Sequence, residues 1–460
     1  MFKRFIGDRQ FYRRTLSVAI PIIIQNGITN FVSLLDNIMV GQIGTMPMSG
    51  VSIVNQLLFI FNLCVFGASS GAGIFTAQFH GSGDHKGITH TFRFKVLACS
   101  LISLVGIGVF SLLDSRLIGL YLTGEGDPLA AREALLSAQD YLAVMLWGLV
   151  PFALSTAYAG TLRECGQTTV PMVAGICAVF VNLALNYCLI FGHFGMPAMG
   201  VRGAALATVI SRYVELAVVA GWTHLHATQQ KFIRGAYRSF YIPGKLLRGM
   251  ITKGMPLMIN EFFWSMGIAT MNQAYSTCGL EVVPAMNISS VLFNLGSVAF
   301  MALGSSVGII MGQMLGAGVK EAELRDTNRK LVALSVASGV FFGAVLAVVS
   351  PFFPRLYNAE SSVRDLATAL ICITACAIPF NSYTNSAYFT LRSGGQTLVT
   401  FLFDSCFVWG ICVPLAYCLS RFARLPIIPL YIICQSAELL KCTLGYIMIR
   451  QGKWIQNLTK

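Results

Sequence analysis

Long apolar runs separated by short polar segments recur from one end of the chain to the other. Runs such as 96–113 and 331–350 are nearly free of charge over about the length that crosses the hydrocarbon of a membrane. Backbone polar groups in lipid must bond within their own segment, so such runs predict helices, and they lack the two-residue alternation of a membrane barrel. We therefore predict an all-α integral membrane protein with about twelve transmembrane helices. The predicted spans are 15–38, 50–78, 94–113, 138–162, 170–191, 203–223, 252–275, 284–314, 330–350, 366–391, 398–419 and 427–449.

The chain repeats itself at a nearly constant offset. The segments LRECGQTTV and LRSGGQTLV lie 229 residues apart, and Pro21 in the first span matches Pro256 in the seventh at an offset of 235 residues. At the second offset, residues 78–83 also resemble residues 313–318, and together these matches indicate an internal duplication. Six spans per half is an even number, so both halves share one orientation. We expect the halves to be related by an axis along the membrane normal, with a site between them near mid-depth.

Composition and charge agree with a membrane protein and set its orientation. The chain is 55% apolar and 11% charged, whereas about a quarter of the residues of a soluble domain are charged. With the N-terminus inside, the inner segments hold most of the 32 Lys and Arg residues, which is the bias of the cytoplasmic side. Both termini are therefore predicted to be cytoplasmic, and the net charge of +13 is read as a topology signal rather than a nucleic-acid-binding surface. The predicted segments are a cytoplasmic N-terminus at 1–14, an N-lobe of six helices at 15–223, a basic cytoplasmic linker at 224–251, a C-lobe of six helices at 252–449 and a cytoplasmic C-terminus at 450–460.

Ionisable residues inside the predicted spans are costly and therefore informative. Two pairs of opposite charge, Arg212 with Glu215 and Glu438 with Lys441, are three residues apart and are predicted to be structural pairs on one helix face. Apart from charges at the very ends of the spans, the set is Asp36, Arg212, Glu215, Glu261, Asp404, Glu438 and Lys441.

Three carboxylates remain without a local cation, that is, without a Lys or Arg within one turn of the same helix. Asp404 lies near the end of its span, where we expect it to be hydrated. Asp36 and Glu261, one in each half, are the stronger candidates. A buried carboxyl favours its neutral form, so it can hold a proton, a Na⁺ ion or a cationic substrate, but not all together. This predicts a carrier that exchanges one cation for another.

Polar side chains recur at helical spacing on several spans. Gln25, Thr29, Ser33 and Asp36 share one face of the first span. A lipid-facing helix would not carry such a stripe, so we predict that these faces line a watery cavity. The alternative is that Ser and Asn side chains only bond helices to one another, as they commonly do in membranes. The other candidates of this set are Asn55, Asn62, Glu261, Ser265, Asn287, Asn294, Asn381 and Asn385.

Two prolines occupy equivalent places in the two halves. Pro21 and Pro256 each lie ahead of a polar stripe, and each removes a helix hydrogen bond. We predict that they are hinges that open and close the cavity.

Motifs for other chemistry are missing from the sequence. It has no GxxxxGK[ST] phosphate loop, no GxSxG elbow and no Ser/His/Asp set on one helix face. We therefore expect neither an enzyme nor an ATP-driven pump, and no cofactor. A Na⁺ ion near Asp36 is the only metal that we expect.

Several motifs together resemble a known family. These are the acidic first-span motif at 34–41, the two LRxxGQT-like segments, and the segments 181–186 and 201–208. The pattern is similar to that of the bacterial type of multidrug and toxic compound extrusion (MATE) transporters, over nearly the whole chain. The resemblance implies a V-shaped pair of pseudo-symmetric six-helix bundles around a cavity. It also implies antiport of H⁺ or Na⁺ against an organic cation in the bacterial cytoplasmic membrane.

The resemblance also implies roles for individual residues. Asp36 matches the family's first-span acid, which takes part in coupling, and Asn182 matches an Asn of the fifth-span motif. Asn186 stands where many members have Asp. A subgroup carries a seventh-span Glu one turn beyond Glu261, on roughly the same face, and its tenth-span acid aligns with Asn381.

The leading hypothesis is a secondary-active exporter that couples efflux of a small, cationic amphipathic compound to inward H⁺ or Na⁺ by alternating access. We expect it to work as a monomer whose partners are its substrate and the lipid bilayer. One alternative is a flippase for a lipid-linked precursor, which would need free basic groups, such as Arg212 and Lys441, to hold a pyrophosphate. The other is a membrane-embedded enzyme, which would need a nucleophile–base or metal constellation.

Overall fold

The computed structural model describes residues 5–122, 128–357 and 359–459, and within these ranges every regular element is helical. Short 3₁₀ turns lie at Leu146–Gly148, Lys231–Ile233, Ala236–Arg238 and Phe353–Leu356. The α-helices are α1 (Arg9–Gly41), α2 (Thr45–Ser82), α3 (His85–Leu122), α4 (Pro128–Met145), α5 (Leu149–Glu164), α6 (Thr169–Phe191), α7 (Val201–Leu225), α8 (Gly244–Ser276), α9 (Val282–Gly316), α10 (Glu321–Val349), α11 (Ser361–Ser393), α12 (Thr397–Phe401), α13 (Val413–Arg421) and α14 (Ile427–Gln451).

Each predicted span falls on one of these helices or on a composite of two. Among the described residues, eleven segments are long and apolar enough to cross a membrane. The predicted seventh span lies on α8, whose apolar run is interrupted by Asn260 and Glu261. The prediction of an all-α membrane protein is therefore confirmed. Most helices extend beyond the predicted bounds, because hydropathy detects only the part that matches hydrocarbon and not the polar turns on either side.

Two of the spans are composite. The span Ala131–Glu164 joins α4 to α5 through the 3₁₀ turn at Leu146–Gly148. The span Thr397–Arg421 joins α12 to α13 through two π-helical stretches, Leu402–Cys406 and Val408–Cys412. Wide π turns inside α-helices frequently occur at functional sites, and the first of these stretches carries Asp404.

The basic segment between α7 and α8 is folded. Arg93 of α3 donates to the backbone carbonyl oxygens of Gly235, Ala236 and Tyr241 at 3.0, 2.8 and 3.1 Å. Phe232 is buried beside Phe92, with ring centroids 5.4 Å apart. The predicted linker is thus a packed connection, and α8 begins within it.

The chain forms two compact units by its internal contacts. The first comprises the residues up to Ile23, Ala77–Gly83 and the residues from Met255 onward. The second comprises Ile24–Thr76 and Asp84–Gly254. The division passes through α1, α2 and α8 rather than between helices. The assignment of the spans to two six-helix lobes stays a prediction.

Each unit has its own packing. In the first unit, α9 and α10 pack on α11, and apolar residues of α8, α9, α11, α13 and α14 form one core that includes Tyr275, Leu370 and Leu430. In the second unit, α6 packs on α7 and α3 packs on α5. A Cβ atom on Gly203 of α7 would contact the backbone of Leu189, so glycine lets these two helices approach closely. This close contact positions the polar side chains of α6 and α7 that are described next.

Candidate functional site

The Asp36 carboxylate lies against two asparagine amides of α6. Asn186 Nδ2 donates to Asp36 Oδ1 at 2.7 Å. When the Asn182 amide is oriented with its nitrogen toward the carboxylate, it donates to both Asp36 oxygens at 3.0 Å, and its oxygen accepts from Thr208 Oγ1 at 3.3 Å. We assign this orientation because both Asp36 oxygens then face a donor and the Thr208 hydroxyl faces an acceptor. The structure thus brings together Asp36, Asn182 and Asn186, and adds Thr208; these four residues are called the Asp36 cluster.

The Asp36 cluster contains no cationic side chain, and one of its amide oxygens accepts no hydrogen bond from a described residue. Among the described residues, no Lys, Arg or His forms an ion pair with Asp36. Asn186 is only 2% exposed, and its Oδ1 has no hydrogen-bond partner in the part of the chain that the structure describes. A buried oxygen without a partner calls for a donor or a cation, and oxygen ligands suit hard cations. The residues present therefore fit either a proton on Asp36 or a small cation such as Na⁺.

The rest of the polar stripe on α1 does not join this cluster. Gln25 Oε1 accepts a hydrogen bond from Arg163 Nη2 at 2.8 Å. Thr29 is exposed, and the side chain of Ser33 lies outside the described residues. Gln25 therefore satisfies part of a guanidinium on α5, a role that helical spacing on α1 alone does not reveal.

The asparagines of α2 and α9 are at the surface of their own units. Asn55, Asn287 and Asn294 are exposed, and their side chains make no hydrogen bond within the described residues. Asn62 is half-buried, and its Oδ1 likewise has no partner there. These contacts give no support to the alternative that the four side chains bond helices together.

Glu261 lies beside a tyrosine of α11. Tyr388 Oη donates to Glu261 Oε1 at 3.5 Å, which is long for a hydrogen bond between oxygens. No Lys or Arg lies within one turn of Glu261 on α8, but α11 supplies Arg392, whose charge acts on this carboxylate. Ser265 lies one turn along α8 and is half-buried. The Glu261 carboxylate is therefore less isolated from positive charge than Asp36.

The two candidate asparagines of α11 differ. Asn385 Oδ1 is buried against Gly304 of α9, without a hydrogen bond to any described residue. Asn381 is half-buried, and its side chain makes no hydrogen bond within the described residues. Both lie on the helix that carries Tyr388.

A second polar group next to Glu261 was not predicted. Lys441 Nζ of α14 pairs with Asp404 Oδ1 at 2.7 Å, and Asn260 Nδ2 donates to Asp404 Oδ2 at 3.2 Å. Asn260 Oδ1 in turn accepts from Ser405 Oγ at 2.7 Å. The sequence does contain a sign of this group, because Asn260 is a polar residue next to Glu261 in an apolar span. Asn260 lies on a different face of α8 from Glu261 and Ser265, so the polar stripe does not include it.

This group corrects two expectations about charges. Asp404 is not simply hydrated, since its side chain is 18% exposed and paired with Lys441. Lys441 pairs across helices rather than with Glu438, and Glu438 lies 3.4 Å from the hydroxyl of Thr384. Residue spacing along one helix can predict only partners on that same helix. For Lys441, the opposite charge that it pairs with lies on a neighbouring helix.

The charges of α7 behave in the same way. Arg212 Nη1 donates to the Gly148 carbonyl oxygen at 3.3 Å, and its guanidinium lies 4.9 Å from the centre of the Phe152 ring. Among the described ion pairs, Arg212 is not joined to Glu215. The two residues of α7 therefore attract each other electrostatically but do not form the predicted ion pair.

A further buried ion pair was not among the predicted intramembrane charges. Lys95 of α3 is fully buried and pairs with Glu164 of α5. Its ammonium also donates to Thr161 Oγ1 at 3.2 Å. Lys95 lies at the start of one predicted span and Glu164 just after the end of another, so charged residues beside the apolar runs are packed inside the protein.

Comparison with known families decides the class of protein. The MatE family model matches residues 21–188 and 256–418. The chain belongs to the MatE family. The two matched stretches of this MatE protein begin at Pro21 and Pro256, and each contains one candidate carboxylate, Asp36 or Glu261. Members of the family are transporters, so the chain is a multi-pass membrane transporter and not an enzyme.

Curated relatives cover nearly the full length of this MatE protein. It is 25% identical to a probable multidrug resistance protein NorM of Thermotoga maritima, over 99% of this chain and 96% of that protein. It is 27% identical to a probable multidrug resistance protein NorM of Shewanella oneidensis, over 89% of this chain and 87% of the relative.

Solved structures have the same fold. The Vibrio cholerae MATE transporter VcmN, as a mutant, superposes with a TM-score of 0.85 at 17% identity, covering 97% of this chain and 99% of that one. A MOP superfamily transporter from Pyrococcus furiosus, described as having a binding pocket of reverse polarity, gives a TM-score of 0.84 at 17% identity and covers 98% and 97%. At this identity the likeness shows the fold alone.

The basic residues of this MatE protein do not favour a flippase. That alternative needs Arg212 and Lys441 available to hold a pyrophosphate. Lys441 is instead paired with Asp404, and Arg212 is engaged by a carbonyl oxygen and an aromatic ring. The Asp36 carboxylate, by contrast, forms no ion pair with a described cationic side chain.

Proposed function

We propose that this MatE protein is a secondary-active exporter of small organic cations that couples efflux to inward H⁺ or Na⁺. The names of the relatives support export of drug-like compounds. The observation that carries the proposal is the Asp36 carboxylate, held by two amides and without a cationic side chain. A charge in apolar surroundings is costly, so this carboxylate gains most by binding a proton, a metal cation or a cationic substrate.

The coupling follows from competition for that carboxylate. The amide nitrogens of Asn182 and Asn186 stabilise the ionised form and hold it in one orientation. A proton or Na⁺ arriving from outside neutralises Asp36 and weakens its attraction for an organic cation, which is then released. The exported substrate that competes with H⁺ or Na⁺ for Asp36 is a cation with apolar surface, since the spans around the site are apolar. No chemical step on the substrate is required.

Alternating access needs helices that bend, and two prolines lie at suitable places. Pro21 lies inside α1, two residues before the division between the compact units, and Pro256 lies inside α8, two residues after it. A proline inside a helix removes one backbone hydrogen bond and eases bending there. Their position at the unit boundaries supports the hinge role proposed for both.

The test of the proposal is transport by the purified protein in liposomes. Efflux of a fluorescent organic cation is followed with a pH gradient and a Na⁺ gradient imposed separately. Acceleration by either gradient supports coupling and identifies the ion. Transport that neither gradient accelerates would contradict ion coupling, and transport of a lipid-linked pyrophosphate instead would contradict the substrate class.

Replacing Glu261 with glutamine is expected to slow gradient-driven efflux without abolishing it. Glu261 has Tyr388 and the charge of Arg392 near it, so it is placed as the second and weaker cation group. We expect a loss of about tenfold, the size of one lost hydrogen bond to a charged group. The initial rate in proteoliposomes measures it. Glu323→Gln, an exposed carboxylate at the start of α10, is the matched control. Equal rates for Glu261→Gln and the wild type would remove Glu261 from the coupling.

Both termini are proposed to face the cytoplasm of a bacterium, with the protein as a monomer in the cytoplasmic membrane. A fluorescent protein that folds only in the cytoplasm should therefore fluoresce when fused after residue 460, and alkaline phosphatase at that place should be inactive. Fusion in the loop at Phe194, predicted to be outside, should give the reverse pattern. An active phosphatase at the C-terminus would contradict the proposed orientation. The oligomeric state is measured separately by light scattering of the purified protein, and the mass of a dimer would contradict the proposal of a monomer.

A further inference from the structure

The ends of α2 and α9 meet through the repeated sequence. A Cβ atom on Gly81 would overlap the carbonyl oxygen of Gln313, and a Cβ atom on Gly316 would overlap the carbonyl oxygen of Gln78. The contact is reciprocal, because these residues are equivalent at the repeat offset of 235. Only glycine allows backbones to approach this closely. We call residues 77–83 and 312–318 the α2–α9 junction; all of them lie in the first compact unit.

The side chain of Gln78 is completely buried at this junction, and both of its polar atoms are hydrogen-bonded. Gln78 Nε2 donates to the carbonyl oxygens of Ser393 and Gln456 at 3.0 and 3.1 Å, and its Oε1 accepts from the backbone nitrogen of Leu458 at 2.7 Å. The amide thus behaves like a backbone peptide unit, joining α2 both to the end of α11 and to the C-terminal residues.

Those C-terminal residues form an ordered strap, residues 452–459. Gly452, with φ of +73°, ends α14 and turns the chain. Trp454 is fully buried in a cluster with Met311 and Leu391, and its Nε1 donates to the carbonyl oxygen of Ile449 at 3.0 Å. Asn457 Nδ2 donates to the Gly316 carbonyl oxygen at 3.4 Å. The strap therefore contacts both sides of the α2–α9 junction.

The strap is also fixed to the turn after α11. A Cβ atom on Gly394 would overlap the carbonyl oxygen of Trp454, and one on Gly395 would press against Leu458. Gln396 Nε2 donates to the carbonyl oxygen of Lys453 at 3.0 Å. These residues belong to the second of the repeated LRxxGQT-like segments. In this copy, the segment therefore packs against the strap and bonds to it.

The strap makes a symmetric junction asymmetric. Gln313 is the repeat equivalent of Gln78, and its Oε1 accepts from Arg14 Nη2 of α1 at 3.4 Å. Gln78 thus bonds to the strap, whereas Gln313 accepts from α1.

We propose that the strap is a latch that holds the α2–α9 junction closed. This inference rests on the alternating access of the proposed function, in which helix ends on the side that the charge distribution makes cytoplasmic must part when that side opens. Parting requires Gln78 to give up its bonds to Gln456 and Leu458. The latch therefore favours the state with this junction closed and sets how often it opens.

The latch is tested by the distance across the junction in the full-length protein. Bioorthogonal spin labels are placed at Ser82 and Ala317, both exposed, and distances are measured by electron–electron double resonance in nanodiscs. In Gln78→Leu, which keeps the size of the side chain but not its hydrogen bonds, the ratio of long to short distances should rise about tenfold, as expected for one or two lost hydrogen bonds. Gln229→Leu, at an exposed glutamine away from the junction, should leave the ratio unchanged.

A second variant guards against misfolding. Trp454→Ala frees the strap without altering α2, and it should also raise the fraction of long distances; hydrogen exchange at residues 452–459 verifies that the strap is released. A released strap with wild-type distances would overturn the latch. The measurement needs no ion or substrate, so strap-dependent distances in a protein that fails ion-driven transport would support the latch and contradict the proposed function.

Discussion

Replacing Asp36 with asparagine is expected to reduce gradient-driven efflux to the level of liposomes without protein. The asparagine keeps the shape of the side chain and its neighbours Asn182 and Asn186, but it cannot take up a proton or balance a cation. The loss should be seen with both a pH gradient and a Na⁺ gradient, because the same carboxylate serves either ion. Efflux of a fluorescent organic cation from proteoliposomes measures it, together with the amount of protein in the membrane.

A matched control for this variant is available on the surface. Asp140→Asn removes a carboxylate that pairs with Arg202 at 2.6 Å, and both side chains are about half exposed. Exposed ion pairs contribute little, so efflux should be near the wild-type rate. Wild-type efflux by Asp36→Asn itself, at equal expression, would remove Asp36 from the mechanism and with it the proposed coupling.

Breaking the ion pair between Lys441 and Asp404 is expected to lower the stability of the protein strongly. Lys441→Met leaves the Asp404 carboxylate buried with only Asn260 to satisfy it, because the Lys441 side chain is 9% exposed and that of Asp404 18%. Removing one partner of a buried pair costs about 3–5 kcal/mol. We expect a large drop in the midpoint of thermal unfolding in detergent, followed by tryptophan fluorescence.

The double variant separates the pair from its parts. Lys441→Met with Asp404→Leu replaces both charges with apolar groups and should recover most of the lost stability. Lys330→Met is the control, since Lys330 pairs with Asp326 at 2.7 Å on the partly exposed face of α10 and should matter little. A double variant as unstable as Lys441→Met would show that the cost is lost packing and not an unpaired charge.

Much of this arrangement could be predicted from the sequence. Hydropathy is a property of one segment at a time, so the spans and the all-α class followed directly. The family resemblance picked out Asp36, Asn182 and Asn186 as separate candidates, and the structure brings the three together.

The remainder depends on which helix faces which. Gln25 shares a helix face with Asp36 but bonds to Arg163 of α5. Asp404 finds Lys441 on α14. Side-chain pairing across helices is set by packing and by local departures such as the π-helical turn that carries Asp404, and a hydropathy profile contains neither.

The reciprocal contact of Gly81 and Gly316 has a consequence for the origin of the chain. It is isologous: each copy of the segment offers the other the same glycine and the same carbonyl oxygen. Two identical six-helix polypeptides would be able to make that contact about a twofold axis, as an ancestral homodimer. In the present chain the two copies are no longer equivalent, because Gln78 bonds to the strap and Gln313 accepts from Arg14.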